Sequence, residues 1–207
     1  MAKLEYKKAY KDLYVPKKTP SIIRVPSINF VIINGTGDPN NDQFALATSA
    51  LYSFSYAVKM SYKSDNIPND YYDYTVFPLE GVWDLVDKTL PSTDKSNFKY
   101  KIMIRQPDFL TIDLFKQFIS QTKNKKPNIY LDKIEYTTIA EGLCCQMLHL
   151  GSYATEPTSF EMMDQFCNNN GYKRISLKHR EIYLSDPRRI EPLKLKTVLR
   201  YKVEIEV

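Results

Sequence analysis

The stretch EGLCCQMLHLGSYATEPTSFEMMDQFCNNNG, Glu141–Gly171, decides the fold. Its opening, Glu141 to Gly151, reads as an apolar strand, and SYATEP as the turn that ends it. A helix is expected from near Thr158, whose hydroxyl and the Glu161 carboxylate three residues on form a capping-box pattern. Phe160, Met163 and Phe166 or Cys167 make its inner stripe, and Asn168-Asn169-Asn170-Gly171 stops it. The chain has used this order once before. From Ile28 the apolar INFVIIN meets the turn GTGDPNN. A helix follows in which Phe44, Ala47, Leu51, Phe54 and Val58 step by three and four. Its start is placed at Asp38 and Pro39, because proline tolerates a first helical turn and a carboxylate suits its free N–H groups.

Each helix is followed by two strand-like runs. In the first copy these are DYTVFPLEGVW, Asp73–Trp83, with Pro78 marking an edge or a bulge, and NFKYKIMIRQP, Asn97–Pro107. In the second they are HREIYLSD from His179 and LKLKTVLRYKVEIEV from Leu193. A linker helix lies between the copies, capped by Thr111, with Phe115, Phe118 and Ile119 facing inward and Lys125-Lys126-Pro127 ending it. The expected fold is therefore α+β: a βαββ unit used twice around a pseudo-two-fold axis, with antiparallel sheets about a central cleft. The boundaries follow: a basic extension over 1–20, then a single domain over 21–207. Repeat one spans about 28–107, the linker helix about 111–125 and repeat two about 141–204. Clefts at such seams are favoured small-molecule sites.

Composition narrows the class. The 207 residues include 16 Tyr and 10 Phe against a single Trp, and a tyrosine joins an apolar ring to a polar tip that suits half-wet cores and pockets alike. The formal charge of +5 is more than supplied by Lys3, Lys7, Lys8, Lys11, Lys17 and Lys18, read as a solvated face. No helix-turn-helix pattern, zinc-finger spacing or interleaved basic-aromatic motif accompanies them, so no nucleic-acid partner is expected. There is neither an apolar run of about 18 residues nor a signal-peptide pattern, so no membrane is expected. The three cysteines cannot all pair, and a reducing cytoplasm is the natural home. Cys144, Cys145 and Cys167 read as small apolar fillers. His149 and His179 stand too far apart, with no Cys-x-x-Cys or His-Glu-x-x-His, to suggest a metal, and no cofactor is expected. His149 reads as a satisfied structural histidine.

The functional question falls on KHREIYLSDPRR, Lys178–Arg189. At two-residue period His179, Glu181 and Tyr183 share one face of a short strand, and Arg180, Ile182 and Leu184 the other. Glu181 stands between an imidazole and a phenol. A lone glutamate on a strand usually faces solvent or pairs with a lysine.

The sequence resembles the GyrI-like small-molecule-binding domains, also seen as effector-binding domains of multidrug-responsive bacterial activators. The matching words are GTGDPN at Gly35–Asn40, DYTVFPLEGVWD at Asp73–Asp84, KIMIRQPDF at Lys101–Phe109, the Glu141–Pro157 stretch, and HREIYLSDPRR with the LKTVLR tail. The resemblance implies a duplicated βαββ fold with a cleft lined by aromatics around a buried glutamate, which by motif is Glu181. It implies a stand-alone version, because only about twenty residues precede the match. LEGVW, PDF and EIYLSDPRR resemble in particular the cyclopropanoid cyclopropyl hydrolases, which open the strained ring of yatakemycin-type DNA-alkylating compounds with water inside an aromatic cage. On that resemblance Glu181 and Tyr183 are the catalytic candidates. Tyr74, Phe77, Trp83, Phe109, Tyr153 and His179 are the ligand-binding candidates, with Glu80 a reserve carboxylate. Trp83 serves equally well as a core anchor, and Tyr74 and Phe77 line one cleft together only if Pro78 distorts their strand. The expected partner is a small aromatic ligand or substrate; a topoisomerase-inhibitor-type interaction module is a more distant alternative.

Overall fold

A computed structural model describes residues 3–64 and 67–206. The fold is α+β, with the βαββ order present twice. The first copy runs β1 (Ser21–Thr36), α3 (Asp42–Lys59), β2 (Leu79–Leu85) and β3 (Phe98–Arg105). The second runs β4 (Glu135–Leu150), α5 (Glu156–Asn169), β6 (His179–Tyr183) and β7 (Lys196–Ile205), with a short β5 (Tyr172–Arg174) inserted. The linker helix is α4 (Ile112–Lys125), and two short helices, α1 (Tyr6–Ala9) and α2 (Lys11–Tyr14), precede β1. Among the described residues no helix is long and apolar enough to cross a membrane.

The chain forms two compact units that cut across the copies. The first holds the residues up to Tyr6 together with Ile28–Leu79 and Leu85–Ile139; the second holds Lys7–Ser27, Glu80–Asp84 and Ala140 onward. In the first unit, Phe30–Thr36 of β1 pairs antiparallel with Lys99–Arg105 of β3. Val31, Ile33, Ile102 and Ile104 are buried, and over them lies the α3 stripe of Ala47, Leu51, Phe54 and Val58, all at 0% exposure. That stripe is the one read from the 3.6-residue period. Gly35 faces Tyr100 across the ladder, where a Cβ would sit 2.4 Å from the ring, so only glycine lets the tyrosine lie over β1. The linker helix matches expectation: Thr111 caps it by accepting from the Leu114 N–H at 3.3 Å, and Phe115 packs on Phe54 with ring centroids 5.3 Å apart.

In the second unit β7 is central. It pairs antiparallel with β4 over Cys144–Leu150, with β6 over Arg180–Tyr183 and with β5 at its carboxyl end. β6 pairs in turn with Glu80–Trp83 of β2. The helix α5 lays Met163 and Cys167 on Cys145, Met147, Leu199, Tyr201 and Val203. All three cysteines are buried and free.

Three local expectations are corrected. Helix α3 is capped by Asn41, whose side chain accepts from the Phe44 N–H at 2.9 Å; Asp38 instead closes the preceding turn by accepting from the Asn40 N–H. The run Asp73–Trp83 is a strand only from Leu79, because Pro78 has no N–H to donate, and upstream of it Tyr74 makes just an isolated bridge to Leu4. Helix α5 starts at Glu156, so Thr158 and Glu161 are already helical and no capping box forms; Pro157 sits in the first turn. The basic start keeps the solvated face read for it and also packs inward. Its lysines are exposed as expected, but Tyr6, Leu13 and Tyr14 are buried, Tyr14 at 1%.

Candidate functional site

The short strand β6 carries different chemistry on its two faces, and both lie within the second unit. Its register against β2 sets Gly81 opposite Glu181 and Trp83 opposite His179. Side chains alternate along a strand, so Trp83, His179, Glu181 and Tyr183 project to one side, and Glu80, Arg180 and Ile182 to the other.

On the first side the polar groups form a directed chain. The Trp83 indole N–H donates to the Tyr183 hydroxyl at 2.8 Å, and that hydroxyl donates to Glu181 Oε2 at 2.8 Å. His179 Nε2 lies 3.1 Å from Glu181 Oε1. The Glu181 side chain is only 12% exposed, and each of its oxygens is held. The strand's short span supplies this geometry: residues two apart on one pleat bring imidazole and phenol to either side of the same carboxylate. Tyr153, in the 3-10 turn before α5, sets its ring edge-on to Tyr183 with centroids 6.0 Å apart and stays 40% exposed. Phe160 of α5 packs against the His179 ring at 4.8 Å.

A second carboxyl stands beside Glu181. Glu156, in the first turn of α5, is 5% exposed, and its Oε1 has no hydrogen-bond partner. Burial first, then the Glu181 charge and a hydrogen bond with it, push the Glu156 carboxyl up to about 9. Burial and the same two glutamates also raise the phenols, Tyr153 to about 12 and Tyr183 well above its ordinary value, although the Trp83 hydrogen bond opposes the latter. The site thus holds neutral tyrosines, one protonated glutamate and, in Glu181, a carboxyl that accepts from Tyr183 at one oxygen and touches His179 at the other.

The sequence-derived candidates are distributed over both units. Glu181, Tyr183, His179, Trp83 and Tyr153 are brought together. Glu80 is not with them: it lies on the opposite side of the β2–β6 ladder, accepting from Arg180 at 2.6 Å and from Tyr14 at 3.1 Å. The carboxyl that takes the place foreseen for it is Glu156. Sequence reading missed Glu156 because the helix was started two residues late, leaving it in a turn; proline at the next position, a first-turn signal, marks it as helical. Tyr74, Phe77 and Phe109 belong to the first unit, where they cluster with Tyr71 and Tyr72. Tyr74 and Phe77 do share one side, at a centroid distance of 6.3 Å, and both are 1% exposed. Lys59 lies 5.6 Å over the Tyr74 ring and pairs with Asp73. His149 is satisfied by Ser159 at 2.8 Å and by the Ser152 carbonyl at 3.1 Å.

Gly81 makes the Trp83–Tyr183 contact possible. A Cβ there would meet Trp83 Nε1 at 2.8 Å and the Tyr183 hydroxyl at 3.1 Å. Gly81→Ala is expected to part indole from phenol while the protein stays folded. The check is the tryptophan emission spectrum, which should shift as the N–H loses its partner; an unchanged spectrum would mean the contact does not depend on the glycine.

A repeated βαββ chain whose second unit sets two glutamates beside Tyr183, Tyr153 and Trp83 matches a class of small-molecule-binding domain. The chain belongs to the GyrI-like family: the GyrI-like small molecule binding domain matches residues 18–202. Among solved structures it is similar to a hydrolase from Listeria innocua, at 34% identity and a TM-score of 0.90, covering 98% of this chain and 100% of the other. An uncharacterized conserved protein from Listeria innocua is similar at 35% identity, with a TM-score of 0.92 and the same coverage. The C-terminal domain of EcmrR shares the fold alone, at 13% identity and a TM-score of 0.57, covering 91% of this chain and 98% of that one. The comparison with curated proteins finds no match.

Proposed function

We propose that this protein binds planar aromatic compounds and hydrolyses those carrying a cyclopropane fused to a dienone, with Glu181 as general base. The chain from Trp83 through Tyr183 to Glu181 is the observation that carries the reading: it ends on a carboxylate engaged at both oxygens and flanked by rings on which a flat ligand can stack. In the step proposed, a water oxygen bonds to the ring CH₂ as the cyclopropane C–C bond breaks. The electron pair of that bond flows into the dienone, whose carbonyl becomes a phenolate, and the water proton passes to Glu181. Proton return to the phenolate completes a net addition of water. Strain release drives the opening, so positioning and modest proton transfer suffice.

The geometry modifies one role. Tyr183 already spends its hydrogen on Glu181, so it orients the base. The hydroxyl for the developing phenolate is assigned to Tyr153, which is half open to solvent and, at about 12, keeps its proton through neutral pH. Similarity to a Listeria innocua hydrolase at 34% identity supports the enzymatic reading. The second reading, stoichiometric sequestration without turnover, is favoured by the family's binding character. Incubation with a cyclopropyl-dienone compound in large molar excess separates them. Dienone absorbance lost well beyond one equivalent supports catalysis; loss of one equivalent or none leaves a binder.

A further inference from the structure

We propose that Glu156 is the second anchor of the attacking water, its Oε1 accepting one water hydrogen while Glu181 takes the other. The inference rests on the hydrolytic reading above and extends it to a residue outside the strand motif. The starting observation is an orphan: Glu156 is 5% exposed and its Oε1 has no partner. A buried polar atom left unpaired costs free energy, so such an atom in a site calls for a ligand or a water.

The chemistry of the pair says which atom binds what. The titratable groups around Glu156 are Glu181 and Tyr183 on β6 and Tyr153 in the preceding turn; His179 stands on Oε1 of Glu181. Two carboxyls in contact under cover cannot both be charged. Glu156 is the one that keeps the proton, and it shares a hydrogen bond with Glu181. With the Glu156 O–H so engaged, Oε1 is left as a pure acceptor. Tyr183 donates to Glu181 Oε2, His179 Nε2 lies beside Oε1, and with the Glu156 O–H added the roughly four acceptor sites of the carboxylate still leave one for a water. A water held between the two carboxyls therefore has both hydrogens fixed and its lone pairs turned away from them, toward the ligand. During attack its oxygen bonds to the CH₂, the ring C–C bond breaks toward the dienone oxygen, and its proton goes to Glu181. The Glu156 proton never leaves.

Glutamine is the informative substitution, since it retains an acceptor oxygen beside a donor, as the protonated acid does. Glu156→Gln is expected to lower kcat only about threefold and to remove the alkaline fall in rate near pH 9 that wild type should show. Glu156→Leu, which has no acceptor, is expected to lose roughly 100-fold in kcat with little change in KM. A Gln variant as inactive as Leu would overturn the inference, because the proton itself would then be consumed; so would a Leu variant of full activity. Infrared spectroscopy of the ligand-free protein supplies an arm that does not need turnover. A protonated-carboxyl band present at neutral pH and lost in Glu156→Gln supports the pair, and its absence in wild type overturns it. Should wild type show no turnover at all, the hydrolytic reading falls, and with it the role in attack; the infrared arm still reports whether the one-proton pair exists.

Discussion

Glu181→Gln is expected to abolish measurable turnover of a cyclopropyl dienone while leaving affinity for planar aromatics within about tenfold, a 1.4 kcal/mol allowance. Removing a positioned base costs typically about 10²- to 10⁴-fold in rate. The effect should sit at the high end, because an amide cannot reproduce the environment of this carboxylate. Both its oxygens are engaged, by the Tyr183 hydroxyl at 2.8 Å and by His179 Nε2 at 3.1 Å. A glutamine has one acceptor oxygen in place of two, so it loses an acceptor as well as the base. Stacking on the rings is untouched, which is why affinity should survive. Trp83 is the single tryptophan of the chain and stands two hydrogen bonds from Glu181, so quenching of its emission reads the affinity directly. An undiminished rate in this variant would remove Glu181 from the mechanism.

Arg180→Leu carries the largest expected effect on stability, a loss of about 3–5 kcal/mol. The guanidinium is buried between two carboxylates, Glu80 at 2.6 Å and Glu141 at 3.0 Å, and Arg200 adds an ion pair to Glu141 at 3.5 Å. Tyr14 donates to Glu80, while Arg200 also donates to Gln146 and to the Leu13 carbonyl, so the network ties the amino-terminal segment to the strand that bears Glu181. Leucine would leave both carboxylates buried with weaker compensation, Glu80 with the Tyr14 hydroxyl and Glu141 with Arg200 at 3.5 Å. The pH dependence separates this cause from simple loss of packing. Burial pushes the Glu141 carboxyl up, but Arg180, Arg200 and Lys202 outweigh it, and the folded carboxyl titrates below its ordinary 4.5. In wild type this contribution is therefore present above about 4.5 and is lost as pH falls through the depressed value. Without Arg180 the burial effect is left less opposed, so the variant should weaken as pH rises through the same region. Urea unfolding should show the gap between the two proteins widening from about pH 4 to pH 7. A gap that stays constant with pH would assign the loss to packing alone.

The elements were legible wherever one periodicity ran without interruption. The α3 stripe from Ala47 to Val58, the Thr111 cap and the alternation of His179, Glu181 and Tyr183 are all present as read. Reading failed where two local rules competed. At Asp38-Pro39-Asn40-Asn41 several residues were competent to start a helix, and the turn made by Asp38 moved the cap to Asn41. At Thr155-Glu156-Pro157-Thr158 a capping-box pattern outweighed the proline signal and hid Glu156. Beyond Pro78 the strand pattern continued backward only in the sequence, because a ladder needs the N–H that proline lacks.

What the sequence determined by itself was the order of elements, their inward faces and the isolation of Glu181 between His179 and Tyr183, since all three depend on neighbours within a few positions. Tertiary structure alone decided the partners. It brought Trp83 to Tyr183 across a hundred positions, set Glu156 against Glu181, turned Glu80 to Arg180 on the opposite side, and drew Tyr14 out of a lysine-rich start into a buried network. The reason is physical: periodicity states which side of a strand a residue occupies, but the charge and hydrogen-bond balance of a buried site is settled by whichever distant groups pairing and packing deliver to it.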